Sequence, residues 1–141
     1  MKLAHYSIRT TDLEASRRFY IEILQFRVGY RPPFNFPGLW LYVGEDESEY
    51  GVVHVIGMPS EGSGLSDYLG DRDTNSLSGS GAVDHVAFLA TNWPQMRERC
   101  NANGVKFVER TVPLLGLHQV FIVDPSGVTI ELNYPSSELD R

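Results

Sequence analysis

The sequence predicts an α+β fold in which two β-α-β-β-β modules form a strongly curved mixed sheet, a half-barrel around a cleft. His5 and His85, 80 residues apart, each lie in a segment of alternating polarity that leads into a helical pattern. Each half then ends in a β-branched run with one side chain able to bind a metal, His54 in the first and Glu131 in the second. This repeat indicates one domain, 1–141, made of two copies of one module.

The first module is expected to span 1–57. Residues 3–9 alternate in polarity, as a strand with two different faces requires. Thr11 or Asp12 offers a helix N-cap, and apolar residues at helical spacing continue to about Gln25. Three further strands are predicted, at 27–31, 39–43 and 50–56.

The segment 58–81 is rich in Gly, Ser and Asp. It is too polar for a core element and too long for a simple turn, so it is either a linker between the modules or a functional flap. Leu65, Tyr68 and Leu69 have helical spacing and are candidates to dock one turn.

The second module, 82–141, repeats the order of the first. A strand is predicted at 83–89, and Asn92 is the expected N-cap of a helix that ends near Asn103 and Gly104. The remaining strands are predicted at 106–110, 118–123 and 128–132. The sequence Asp-Pro-Ser-Gly at 124–127 predicts a type I turn between the last two strands.

Composition excludes several classes of protein. The net charge is −6 and the pI about 5.1, which disfavours nucleic-acid binding through phosphate contacts. The single cysteine, Cys100, excludes an internal disulfide and is typical of a reducing compartment. The N-terminus lacks the apolar core of a signal peptide, and no apolar run has the roughly 20 residues that a membrane helix needs. We therefore expect a cytoplasmic protein.

Potential metal ligands occupy the first and last predicted strands of both modules, namely His5, His54, His85 and Glu131. The first and last strands of a module are often neighbours, so we expect these side chains to line the cleft and converge. Imidazole and carboxylate ligands suit one divalent ion such as Fe(II), Zn, Ni, Mn or Co. His54 has a second interpretation, because Val52 and Ile56 beside it also suit a core position.

Other polar and aromatic side chains are weaker candidates. His118, which opens the strand before the last hairpin, is either a general acid or base or a residue at the surface end of a strand. A pocket for a planar small-molecule substrate is predicted from four aromatic residues, Trp40, Tyr42, Phe121 and Tyr134. Core packing explains Phe121 equally well.

At these residues the chain resembles the vicinal oxygen chelate superfamily, which includes glyoxalase I, extradiol dioxygenases, methylmalonyl-CoA epimerase, fosfomycin-resistance transferases and bleomycin-resistance proteins. The matching segments are LAHYSIRTTDLEASRRFYIEIL at 3–24, VDHVAFLATN at 83–92 and HQVFIVDPSGVTIELNY at 118–134. The resemblance implies the glyoxalase/dioxygenase-like fold and metal ligands at His5, His85 and Glu131, with His54 at the position that varies across the family.

The resemblance leaves the reaction open. Dioxygenase-like members use two histidines and one carboxylate, whereas glyoxalase-like and epimerase-like members add Glu or Gln as a fourth ligand. We favour a dioxygenase-like enzyme with Fe(II), of the extradiol ring-cleaving type. A glyoxalase-like or epimerase-like isomerase or lyase is the second hypothesis, and a metal-free drug-binding protein is the third. The resemblance also implies a homodimer, with a cleft formed within one chain or across two.

Overall fold

A computed structural model describes residues 3–48, 51–66, 73–81 and 83–139. In the first half of these residues the elements are β1 (Tyr6–Arg9), α1 (Leu13–Arg18) with a π-helical turn (Phe19–Ile23), β2 (Arg27–Val28), β3 (Gly38–Tyr42) and β4 (Val53–Ile56). In the second half they are β5 (Val86–Leu89), α2 (Trp93–Ala102), β6 (Phe107–Val112), β7 (Leu117–Val123) and β8 (Thr129–Pro135). None of the described helices is long and apolar enough to cross a membrane.

The strands form two four-stranded mixed sheets with the same topology. The strand order is β1-β4-β3-β2 in the first sheet and β5-β8-β7-β6 in the second. In each sheet the first and last strands pair in parallel, and the other pairs are antiparallel. The contacts divide the chain into two compact units, Met1–Ser78 and Gly79–Arg141. The predicted α+β fold with a doubled β-α-β-β-β module is therefore confirmed.

One face of the first sheet packs against α1 and its π-helical extension. Leu41 and Val53 are register partners on that face and are fully buried. Tyr20 of the π-helical turn is also fully buried, and its hydroxyl lies 3.2 Å from that of Tyr6, the register partner of Val53. Asp12 caps the helix by accepting a hydrogen bond from the backbone N–H of Ala15, as predicted. The opposite face of the sheet is thereby left for other contacts.

The second unit uses the same arrangement, with α2 covering one face of its sheet. Trp93, Met96 and Cys100 face the sheet and are buried. The indole of Trp93 lies 5.3 Å from the ring of Phe107 and 5.5 Å from that of Tyr134. Burial raises the pKa of the Cys100 thiol, so this cysteine is a core residue.

The N-terminus of α2 differs in part from the prediction. Asn92 is the N-cap residue, as predicted, but its backbone is left-handed and its side chain makes no capping hydrogen bond. The carboxylate of Glu138 takes this role and accepts the N–H of Trp93 at 2.8 Å. The left-handed conformation turns the side chain of Asn92 towards Gln95 instead.

Part of the 58–81 segment packs on the first unit. Leu65 is buried in a cluster with Phe36 and Ile56, and Phe34 packs against this cluster. Tyr68 and Leu69, predicted to dock in the same turn, lie outside the described residues. Leu65 therefore anchors this segment to the sheet face that α1 leaves uncovered.

Candidate functional site

Three rings are stacked on the uncovered face of the first sheet. Trp40 and His54 are register partners on β3 and β4, and their rings are parallel within 5° with centroids 4.0 Å apart. His5, which precedes β1, stacks on the other side of His54 at 3.8 Å and 15°. Ser7 pairs with His54, and strand alternation places His5 on the same face. The structure therefore brings His5, His54 and Trp40 together.

The two histidines of this stack have ring nitrogens without a hydrogen-bond partner among the described residues. These atoms are Nδ1 of His5 and Nε2 of His54, and both are buried. His54 also hydrogen-bonds to the backbone of Gly51. Because Nε2 has no partner, Nδ1–H makes this bond and Nε2 carries a lone pair. Burial, with the nearby His5 as a second cause, lowers the pKa of His54 to about 4.

Aromatic side chains continue along this face. Phe34 and Phe36 stack at 5.1 Å, and Phe34 lies 6.4 Å from Trp40. The guanidinium of Arg31 lies over both phenyl rings, at 5.1 and 5.0 Å, and donates to the carbonyl of Phe36. Burial lowers the pKa of Arg31. The face is thus lined by aromatic rings, with the Arg31 guanidinium fixed over two of them.

The second unit brings together His85 and Glu131. His85 precedes β5, and Glu131 pairs with Ala87 on β8. The His85 Nε2 and the Glu131 Oε2 are 3.0 Å apart, while the His85 Nδ1 is 2.7 Å from an oxygen of Asp84. A neutral imidazole donates through only one nitrogen. If the Nδ1–H donates to Asp84, the Nε2 lone pair faces the Glu131 carboxylate, and a proton or a metal ion must lie between these two atoms.

The two oxygens of Glu131 have different surroundings. Oε1 accepts hydrogen bonds from the side-chain amides of Gln119, at 2.9 Å, and Asn133, at 2.7 Å. Oε2 faces the Nε2 of His85. The carboxylate is 6% exposed, so these bonds satisfy a buried charge that would otherwise be strongly disfavoured. Glu131 therefore presents one oxygen in a fixed direction.

The remaining predicted residues are divided between the two faces. Phe121 pairs with Glu131 and lies edge-on to His85 at 5.9 Å, so it belongs to the site face. Tyr42 follows Trp40 by two residues on the same face of β3, and its hydroxyl donates to the carbonyl of Tyr30. Tyr134 is on the other face, packed on Trp93, so it does not line a pocket with Phe121.

His118 is also on the helix side of its sheet. It is 4% exposed, and its ring lies 5.4 Å from that of Trp93. Its Nε2 is 3.2 Å from a carboxylate oxygen of Glu109 and its Nδ1 3.3 Å from the hydroxyl of Thr111. Because it alternates with Gln119 on β7, it faces away from Glu131. The structure thus gives it no contact with the site face.

The donors of the site faces are of the type that binds a divalent ion, and one pair of them also has the spacing of neighbouring ligands. Metal–nitrogen and metal–oxygen bonds of about 2.1 Å place neighbouring ligand atoms about 3 Å apart, as His85 Nε2 and Glu131 Oε2 are. The bare ring nitrogens of the first unit are of the same ligand class. Among the described residues, His, Cys, Asp and Glu do not form a group of three or more that could hold a metal. Each unit on its own presents a pair of potential ligands.

Comparison with known proteins decides the family. The model of the Glyoxalase/Bleomycin resistance protein/Dioxygenase superfamily matches residues 2–132. The chain belongs to this superfamily. Its members include many enzymes and also non-enzymatic binding proteins, and they commonly use a divalent metal and often form dimers. The sequence matches no curated protein.

Solved structures show the same superfamily fold at low sequence identity. The trypanothione-dependent glyoxalase I of Leishmania major is 21% identical, with a TM-score of 0.66 over 99% of this chain and 91% of that one. The fosfomycin resistance protein FosX of Listeria monocytogenes is 17% identical, with a TM-score of 0.63 over 95% and 93%. The antibiotic-binding protein TnmS3 of a Streptomyces species is 15% identical, with a TM-score of 0.60 over 96% of each chain.

Sequence reasoning missed the residues that support the predicted ligands. Gln119 and Asn133 lie on the same face as Glu131, and strand alternation around Glu131 would have pointed to Asn133. Gln119 is adjacent only through the β7–β8 register. Phe34 and Phe36 lie in a proline-rich loop without periodicity, where no sequence pattern places a side chain on the face.

Proposed function

We propose that this protein is a metal-dependent enzyme of the superfamily that chelates two neighbouring oxygens of a small aromatic substrate. The observation that carries the proposal is the carboxylate of Glu131, with Oε1 held by two amides and Oε2 directed at His85. This is the arrangement of a carboxylate that gives one oxygen to a cation while the other is held. His5 of the first unit is the third ligand, from the same chain or from a second copy.

The ring stack supports a three-ligand set. Ring-nitrogen lone pairs lie in the plane of the ring, so those of the parallel rings of His5 and His54 run side by side and do not converge on one point. One of the two can therefore bind the ion without rotating its ring, and the repeat assigns this role to His5. Two histidines and one carboxylate are the ligand set of non-haem Fe(II) oxygenases.

Fe(II) held by His5, His85 and Glu131 would supply Lewis acidity and one-electron chemistry with O₂. The reaction that we favour is extradiol cleavage, in which both atoms of O₂ are added to a catechol and the ring carbon–carbon bond beside one hydroxyl is broken. In this reaction the aromatic rings on the sheet faces, such as Trp40 and Phe34 of the first unit, would bind the planar ring and exclude water. His118 has no part in the proposal, because it faces α2.

One observation favours a second function. The Nε2 of His54 is buried, carries a lone pair and has no partner among the described residues. If the ring rotates out of the stack, it becomes a fourth protein ligand and fewer positions remain for substrate and O₂. That set suits an isomerase or lyase.

Reconstitution with Fe(II) under anaerobic conditions, followed by oxygen-electrode assays with a panel of catechols, tests the proposal. We expect O₂ uptake of one molecule per catechol, loss of uptake in Glu131→Ala, and retention of bound iron in His54→Ala. Iron binding without uptake on any catechol would reject the dioxygenase in favour of the isomerase or lyase. Failure to bind any divalent metal would instead favour the metal-free binding protein.

A further inference from the structure

A row of polar side chains crosses three strands of the second sheet beside Glu131. Arg110 on β6 pairs with Gln119 on β7, and Gln119 pairs with Asn133 on β8. The three side chains share the face of Glu131, which is two residues from Asn133 on the same strand. The predicted ligand set does not include this row.

The amide of Gln119 is held at both ends. Its Oε1 accepts the Nε–H of Arg110 at 2.8 Å, and its Nε2 donates to Glu131 and to the Oδ1 of Asn133 at 2.9 and 3.0 Å. An arginine only donates and an ionised carboxylate only accepts. The amide therefore fits in one orientation, with its NH₂ group towards Glu131.

Arg110 is itself held in place. Its guanidinium lies 5.2 Å above the ring of Phe121, the register partner of Glu131. A guanidinium that lies over an aromatic ring and donates its Nε–H to Gln119 has little rotational freedom. The connection from Arg110 through Gln119 to Glu131 is therefore continuous and fixed at each step.

We infer that Arg110 and Gln119 are positioning residues, which orient Glu131 so that its Oε2 is presented to the bound cation. The inference rests on the proposed metal site. If Arg110 is removed, the oxygen of the Gln119 amide loses its anchor, so the NH₂ group that donates to Glu131 is held less firmly and the carboxylate is less fixed in direction. Neither residue touches the cation.

The sign of the Arg110 effect separates positioning from simple electrostatics. Arg110 is a positive charge near a cation site, so its removal should tighten metal binding if only charge matters. If Arg110 acts by fixing Gln119, its removal should weaken metal binding.

Dissociation constants for Co(II), measured by chelator competition on the full-length protein, test the inference. We expect Gln119→Met to weaken binding by about 10- to 100-fold, the range for loss of a group that holds a metal ligand. Arg110→Met, which keeps an unbranched stem on Phe121, should weaken it by several fold. The double variant should match Gln119→Met alone, because the Arg110 effect passes through Gln119. Arg97→Met, which removes a guanidinium over Trp93 on α2, is the control and should leave binding unchanged.

Melting temperatures of the metal-free variants separate positioning from loss of fold. Arg110 is exposed, so Arg110→Met should melt as the wild type does, even if Gln119→Met is destabilised. Tighter or unchanged Co(II) binding in Arg110→Met, or additive effects in the double variant, would overturn the inference. If Glu131→Ala weakens Co(II) binding while Gln119→Met does not, the inference fails and the metal site stands. If the wild type does not bind Co(II), both fail.

Discussion

His54 shows how one side chain in a stack acquires both a fixed tautomer and a fixed charge. Its ring lies between Trp40 and His5, its Nδ1–H is committed to Gly51, and its Nε2 lone pair is buried. Protonation would put a charge on a ring that neighbours His5 and Arg31, and both lower the pKa further. His54 is therefore neutral near neutral pH.

The lowered pKa of His54 predicts a loss of stability in acid. The folded pKa, about 4, is below the ordinary value of 6.5, so the unfolded chain binds the proton more readily. The stabilisation is complete above pH 6.5 and is lost as the pH falls towards 4, by up to roughly 3 kcal/mol. Urea denaturation with a chelator present, at several pH values, should show a smaller decrease for His54→Phe, which keeps a ring in the stack. Equal pH dependence in both proteins would contradict the assignment.

At the scale of single residues, the candidate ligands could be identified from the sequence, whereas the residues that hydrogen-bond to them could not. His85 and Glu131 were found from the repeat and meet at 3.0 Å. Gln119, which holds Glu131, is distant from it in sequence, and the first module has no glutamine at the equivalent position of the repeat. Whether His118 lies on the face of Glu131 depends on which residues of the strand alternate with it, and a shift of one residue puts its side chain on the other face.

The β7–β8 hairpin shows how a single aspartate fixes the register on which the Glu131 network depends. Asp124 is 4% exposed, and its Oδ1 accepts the backbone N–H of Ser126 at 2.9 Å and of Val128 at 2.8 Å. The turn predicted at 124–127 has its Gly127 N–H bonded to the Asp124 carbonyl. The register places Phe121 opposite Glu131 and Gln119 opposite Asn133.

Replacement of Asp124 by Ala should destabilise the protein by on the order of 2–4 kcal/mol. The substitution leaves two buried N–H groups without an acceptor, and each such group costs roughly 1–3 kcal/mol. Urea denaturation gives the free energy of unfolding. Asp46→Ala is the matched control, because Asp46 accepts the N–H of Ser48 at 2.8 Å in an exposed turn where water can replace it. Equal losses in the two variants would show that burial does not decide the cost.

The cap of α2 gives a second prediction for an element. The Glu138 carboxylate accepts the N–H of Trp93 across 45 residues of sequence, so it also ties the C-terminal turn to the helix. We expect Glu138→Ala to lower the free energy of unfolding by about 1 kcal/mol, the usual effect of losing an N-cap acceptor. Glu98→Ala, in the exposed part of the same helix, should change it by less than about 0.5 kcal/mol. An unaffected Glu138→Ala variant would mean that water caps the helix equally well.

Elements with local signals were predicted well, and those that depend on distant partners were not. The strands β1 to β8 and the helices α1 and α2 all overlap segments predicted from the sequence. Of the two predicted caps of α1, Asp12 makes the capping bond, because its carboxylate and the Ala15 N–H are only three residues apart. Asn92 was correctly placed at the N-cap position, but its side chain does not accept the helix N–H, because the backbone there is left-handed and the distant carboxylate of Glu138 does so. The strand starts were placed three residues early, at 3 and 83, so both His5 and His85 precede their strands.

The described chain is two units with one topology, each presenting a pair of candidate ligands on the sheet face that its helix leaves free. In the first unit the pair is His5 and His54, and in the second it is His85 and Glu131. Superfamily members often form dimers. If the ion is shared between two copies, mixing His5→Ala with Glu131→Ala protein should restore one intact site per mixed dimer. If it is bound within one chain, mixing should restore none.

If one ion is bound by His5, His85 and Glu131, as proposed, each chain should bind one metal ion and not two. Two protein ligands hold a divalent ion weakly, whereas three or four make a specific site. After loading with Co(II) and desalting, elemental analysis should therefore find one ion per wild-type chain. His5→Ala should retain almost none, although His85 and Glu131 are intact, and His118→Asn should retain one, because His118 faces α2. Two ions in the wild type would mean that each unit binds metal by itself. One ion in His5→Ala would mean that His85 and Glu131 bind it without His5, and the chelating function would then be assigned to these two residues alone.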